Sequence, residues 1–102
     1  MWSNVKYIRV DEHRVILDIE SSKEKGKIYS TIYENDKNYG CTCKAFLYNK
    51  KCKHVWLAKK IRQMYEKELG VLVLWALESK IRAEFSKNGV TITIWKGKLQ
   101  LI

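Results

Sequence analysis

Cys41-Thr42-Cys43-Lys44-Ala45-Phe46-Leu47-Tyr48-Asn49-Lys50-Lys51-Cys52-Lys53-His54 is the stretch on which the fold of this chain turns. It contains all three cysteines and one of the two histidines. Cys41 and Cys43 stand one residue apart, eight residues follow, and Cys52 and His54 again stand one apart. Three thiolates and one imidazole make a complete tetrahedral shell for Zn²⁺. Four protein ligands leave no position open for water or substrate, so one ion here is structural. Free cysteines are also buried as small hydrophobes. Clustering of all three within fourteen residues argues against that alternative. A C-x-x-C redox motif is absent from the sequence.

The spacing suggests how the ligands converge. Side chains two positions apart on a strand share a face, so Cys41 and Cys43 meet if Tyr39–Cys43 is extended. Positions i and i+2 of a helix do not face each other. Cys52 therefore belongs at or just before a helix cap, with His54 in the first turn. A helical apolar pattern does begin after Cys52, and a helix N-terminus favours nearby thiolates.

Outward from this stretch the chain reads as strands on both sides of a helical middle. Val5–Val10 and Val15–Ile19 alternate about the polar turn Asp11–Arg14. Ser21–Gly26 is a polar loop. Lys27–Tyr33 alternates Ile28, Ser30, Ile32 against Tyr29, Thr31, Tyr33, and Glu34–Asn38 turns back. Lys44–Lys51 reads as a knuckle loop. Lys53 to about Glu68 is an amphipathic helix. Leu57, Ala58, Ile61, Met64, Tyr65 and His54 lie on one face; Lys53, Trp56, Lys59, Lys60, Gln63 and Lys67 lie opposite. Gly70 ends this helix. A second helix is expected over Leu72–Lys87, with Leu74, Leu77, Ile81 and Phe85 as its stripe and Asn88-Gly89 as its stop. Its start, Val71–Trp75, also reads as a buried strand. Val90–Trp95 and Lys98–Ile102 flank Lys96-Gly97 as a hairpin. The expected class is α+β: a mostly antiparallel sheet of about four to six strands packed with two helices around a structural zinc knuckle.

The ligand set Cys41, Cys43, Cys52, His54 resembles a SWIM zinc finger, whose pattern is C-x-C-x(n)-C-x-H with strands before and a helix after. Phe46 resembles the family's aromatic, and Val55-Trp56-Leu57-Ala58 its apolar helix start. Lys50-Lys51 stand where family members often carry Gly and Pro. The resemblance covers about residues 14–66 and implies a zinc module there, within a single domain 1–102. Residues 67–102 are then a C-terminal extension of helix and β-hairpin, which either completes the core or forms a homodimer interface. The resemblance implies binding of DNA or of protein partners rather than catalysis.

Charge sharpens that expectation. The chain of 102 residues carries a formal net charge of +9. Eight basic residues, Lys37, Lys44, Lys50, Lys51, Lys53, Lys59, Lys60 and Arg62, fall between Lys37 and Tyr65 with no Asp or Glu among them. The remainder nets only +1. Three thiolates and a divalent ion would lower the total by one. Such a patch is an electrostatic footprint for polyanions, although a lysine run also serves as a solvated face. Lys44, Lys50, Lys51, Lys53, Trp56, Lys59, Lys60 and Arg62 are the candidate nucleic-acid contacts, with DNA ahead of RNA. Trp56 within this set either stacks on unpaired bases or packs beneath the knuckle loop or the C-terminal hairpin. The usual burial of tryptophan favours packing. Trp2, Trp75 and Trp95 read as core or interface, His13 as a turn residue, and Tyr29 and Tyr33 as core rather than a stacking platform.

Other classes recede. Gly-rich phosphate loops, G-x-S-x-G and paired-carboxylate sites are missing from the sequence, so no enzyme is expected. Met1–Val10 lacks the apolar run of a signal peptide. The longest uncharged apolar run is nine residues, Leu69–Leu77, too short for a membrane span. Cysteines gathered at a metal fit a reducing, cytoplasmic setting. Abundant Lys, Glu, Ile and Tyr lean toward a thermophile, against the absence of proline. Two functions follow as expectations. One is a small zinc-binding nucleic-acid module, accessory to transcription, recombination or DNA maintenance. The alternative is an adaptor that docks a larger DNA-processing protein.

Overall fold

The computed structural model describes residues 4–21, 23–49 and 52–101, with only the backbone of Leu101. Trp2, Lys50 and Lys51 lie outside the described residues. The strands and helices run β1 (Val5–Val10), β2 (Val15–Glu20), β3 (Ile28–Asn35), β4 (Asn38–Cys41), α1 (Lys44–Asn49), α2 (Lys53–Lys67), α3 (Leu69–Ser79), β5 (Arg82–Lys87), β6 (Val90–Trp95) and β7 (Lys98–Leu101). The architecture is α+β, with a seven-stranded sheet in the order β4-β3-β2-β1-β5-β6-β7. Every pairing is antiparallel except β1 with β5. A parallel pair needs a long crossover, which the three helices supply.

The alternating pattern fixes which face is covered. Val15, Leu17 and Ile19 are buried, and their partners across the sheet include Ile8, Val10, Thr31 and Tyr33 on the same face. Val5 would fall on the other face by simple alternation. A bulge between Val5 and Tyr7 inserts a residue and returns Val5 to the core. The turns repeat one device, a short polar side chain accepting backbone N–H groups. Asp11 Oδ1 accepts from His13 and Arg14, Ser21 Oγ from Lys23 and Glu24, and Asn35 Oδ1 from Lys37 and Asn38.

The helix α2 buries Leu57, Ala58, Ile61 and Tyr65 against β2, β3 and β4. The helix α3 inserts Leu72 and Ala76 and packs on α2 and β6. Phe85, Ile8, Leu17, Ile61, Leu72 and Ile94 are the largest fully buried side chains. The opposite face of the sheet carries no helix among the described residues.

The expected class, an α+β fold with a mostly antiparallel sheet packed against helices, is what the structure has, with seven strands and three helices among the described residues. Several finer expectations are corrected. The helix expected through Lys87 stops at Ser79, because Lys80 takes a left-handed φ of 56° and its N–H bonds to Leu77 O. Arg82–Lys87 is instead the strand β5. Leu77, Ile81 and Phe85 keep helical spacing, but Ala83 and Phe85 are buried in alternation with Arg82, Glu84 and Ser86, and the period of two wins. Asn88-Gly89 is therefore a hairpin turn, with φ of 54° and 81°; Lys96-Gly97 repeats it with 53° and 76°. Positive φ at both central residues is what a type I′ turn demands. Gly70 lies inside α3, and the break from α2 falls at Glu68. Val71–Trp75 is helical, and the first six residues of the knuckle, Lys44–Asn49, form α1. Trp95, expected in a core or an interface, is 51% exposed and so lies outside the core of this chain.

Candidate metal centre

Cys41 closes β4 opposite Thr31 of β3, so its side chain enters the covered face. Thr42 continues that pairing past the strand end. Its N–H donates to Ser30 O, and its Oγ1 accepts from Ser30 N–H at 3.0 Å. The backbone then leaves the extended form. Cys43 stands at the start of α1, where its carbonyl accepts the N–H of Leu47. The two cysteines thus converge from a strand end and a helix start, not from one extended face as the spacing suggested. Cys52 is the N-cap of α2, with extended φ and ψ of −157° and 159°, and His54 is the second helical residue.

These elements gather the sulfurs of Cys41, Cys43 and Cys52 and a ring nitrogen of His54 within 4.8 Å of one another. Cys41 Sγ lies 3.5 Å from His54 Nδ1. All three cysteines are free thiols. Cys41 and Cys43 are buried, while Cys52 and His54 are partly exposed. The arrangement is a cluster of soft donors able to hold a metal ion.

The surroundings tune the donors. Burial pushes the Cys43 thiol up. The N–H of Phe46, the sulfurs of Cys41 and Cys52 and the N–H of Ala45 outweigh it and bring the thiol below its ordinary value. Cys52 is pushed up to about 12, first by burial and then by the neighbouring Cys43 and Cys41, against the pull of the Val55 N–H. Burial, with help from the Lys53 ammonium, lowers His54 and keeps its imidazole neutral, the form that ligates metals.

Two supporting residues were not read from the sequence as part of the site. Thr31, fully buried, donates its hydroxyl to Cys41 Sγ at 3.2 Å. The alternation of β3 sets it on one face with Tyr29 and Tyr33, both read as core, and a polar residue between them was the available signal. The ring of Tyr29 lies 6.1 Å from that of His54 and tilted by 30°, which limits how the imidazole turns. Tyr33 is core: it stacks on Tyr39 and donates its hydroxyl to Asp36 Oδ1 at 2.8 Å. Phe46 meets Tyr39 edge-on and ties α1 to β4.

The basic candidates divide. Trp56 is 57% exposed, not packed under a loop or hairpin. At helical spacing Lys53, Trp56, Lys59, Lys60, Gln63 and Lys67 share the side of α2 away from its buried residues, and Arg62 falls at the edge of that side. Lys59 reaches Asp36 at 3.1 Å, and Lys44 reaches Glu24 at 3.9 Å. Arg62 lays its guanidinium 5.2 Å over the Tyr65 ring and leaves Nη2 buried without a hydrogen bond. Lys50 and Lys51 lie outside the described residues. On α1, next to Lys44 and ahead of them in sequence, Leu47 and Tyr48 are 63% and 84% exposed; the sequence reading had passed over both. No described helix is long and apolar enough to cross a membrane. No family model, no characterised protein and no solved structure matches this chain.

Proposed function

We propose that Cys41, Cys43, Cys52 and His54 hold one structural zinc ion, and that the zinc-supported face of α2 binds nucleic acid. The convergence of four soft donors within 4.8 Å carries the first half. Zinc bonds of about 2.3 Å to sulfur and about 2.0 Å to nitrogen put tetrahedral neighbours roughly 3.5–3.8 Å apart. The 3.5 Å between Cys41 Sγ and His54 Nδ1 fits that requirement. Three thiolates favour zinc over hard, oxygen-seeking cations. Bound zinc would pin β4, α1 and the start of α2 together and so stabilise the fold. The resemblance to SWIM fingers agrees with this reading.

The second half rests on Trp56, exposed between Lys53 and Lys60 on one flank of α2. An aromatic face among ammonium groups suits a strand whose bases stack and whose phosphates pair. Neither half requires catalysis. Native mass spectrometry tests the zinc, expecting one ion per chain. Fluorescence polarisation with generic DNA across salt concentrations tests the binding, expecting affinity that falls steeply with salt. A second reading, the adaptor or a homodimer, is favoured by Val71 and Leu74 of α3, which leave 48% and 60% of their surface exposed. It predicts salt-insensitive association through α3.

A further inference from the structure

Beside the metal cluster lies a pocket of about 400 Å³, between the start of β1, the loop after β2, and the first turns of α2. That volume falls within the roughly 300–1,000 Å³ range of small-ligand sites. Its base is apolar, from the buried side chains of Val5, Ile19 and Leu57. Two aromatic groups, Tyr29 and Trp56, line it together with His54. Its polar rim includes Asn4 and Ser21.

Charge around the pocket is lopsided. Glu20 and Glu24 are its two carboxylates, and both are already engaged. Glu20 faces Lys6 at 3.8 Å; Glu24 faces Lys27 at 3.6 Å and Lys44 at 3.9 Å. Lys23 and Lys53 also line the pocket, and neither has an ion-pair partner among the described residues. The site thus joins an apolar floor and aromatic walls to a surplus of ammonium groups. A molecule with a flat, weakly polar body and an attached anion matches that combination.

We propose that this pocket takes one unstacked nucleotide of a single strand, its base against Trp56 and Tyr29 and its phosphate at Lys53 and Lys23. The proposal rests on the nucleic-acid reading above and adds that the preferred ligand is single-stranded. In a duplex the base is paired and stacked, and entering the pocket would require flipping it out at a cost of a few kcal/mol. The neighbouring phosphates of a strand would continue along Lys60 and Lys67 on the same flank of α2.

The test compares three labelled probes of equal length by fluorescence polarisation at one salt concentration: a single strand of mixed sequence, the same strand without its bases, and the duplex. The base-bearing strand should bind roughly 5- to 150-fold more tightly than the abasic strand, the range that one stacked base supports. Trp56→Ala should erase that difference and leave abasic binding and zinc content unchanged. Asn4→Trp fills the pocket from the wall opposite α2 and should act likewise, with no ligand or helix residue altered. Equal binding of all three probes would overturn the pocket proposal and leave the nucleic-acid reading standing. Unchanged strand binding by Asn4→Trp would also overturn it. A free mononucleotide that competes as well as the strand would make this a small-molecule site and refute the strand reading. Failure of every probe to bind at low salt would remove the nucleic-acid reading and this proposal together.

Discussion

Replacing Lys53 and Lys60 by Gln should flatten the salt dependence of single-strand binding, whereas Lys59→Gln should barely alter it. All three lysines belong to the same acid-free stretch of sequence. The structure separates them. Lys59 also neighbours Trp56 but is held by Asp36 at 3.1 Å. Lys53 and Lys60 bracket Trp56 and have no carboxylate in ion-pair range among the described residues. Each phosphate neutralised on a single strand contributes about 0.7 to the log–log slope of affinity against salt. Two lost contacts remove about 1.4. Between about 50 and about 200 mM salt, the affinity loss of the double variant should then be roughly sevenfold smaller than that of the parent. Polarisation titrations at several salt concentrations read the slope directly. Circular dichroism and zinc content show that the variants stay folded. Equal flattening by Lys59→Gln and by the pair would mean that overall charge, not these two lysines, governs binding. An unchanged slope in the double variant would place the contacts elsewhere.

Cys52→Ser removes one proposed ligand while keeping a residue suited to the N-cap of α2; native mass spectrometry should show loss of the ion, and heating should show a lower melting temperature that chelator no longer reduces. Thr31→Val deletes the hydroxyl that donates to Cys41 Sγ. It should cost about 1 kcal/mol of stability and roughly tenfold or more in zinc affinity, measured by competition with a chromogenic chelator. The metal-free protein should lose stability as pH falls below about 6.5, the ordinary histidine value. His54 is depressed in the fold, so the unfolded chain takes up its proton first, and the loss continues until the folded-state value is passed. Melting temperatures of the chelated protein at pH values on either side of that window should differ less in His54→Gln than in the parent.

The strands before the metal cluster were legible because their signals are local. Val15, Leu17 and Ile19 alternate cleanly, and Asp11 and Asn35 carry the carboxylate and amide that make their turns. The region after residue 68 was harder because two periods coincide. Leu77, Ile81 and Phe85 satisfy a helix, while Ala83 and Phe85 satisfy a strand. What decides is Lys80 in the left-handed region and the place beside β1 that β5 fills. Neither is local. The parallel partner of β5 lies more than seventy positions upstream, as in the Tyr7–Arg82 register, and no window of sequence contains both. A helical stripe alone could not have shown that a sheet edge was waiting.

At the candidate site, the cluster of Cys41, Cys43, Cys52 and His54 was legible because cysteine and histidine are scarce and their chemistry is specific. The geometry behind it was legible only in part. An N-cap at Cys52 followed from the apolar pattern after it, but the start of α1 at Cys43 did not. The basic patch was the most misleading signal, because sequence neighbours are not charge neighbours. Between Lys37 and Tyr65 there is no acid, yet Asp36 and Glu24 reach in from turns of the sheet and engage Lys59 and Lys44. Arg62 turns onto Tyr65 instead of outward. What remains accessible is narrower than the sequence implied: Lys53, Trp56 and Lys60 on one helical flank, beside a pocket that shares His54 with the metal cluster. Loss of the proposed zinc ion should therefore loosen the pocket wall as well as the fold. Chelation should weaken strand binding even at temperatures where the sheet stays intact, and binding that survived chelation unchanged would separate the two sites.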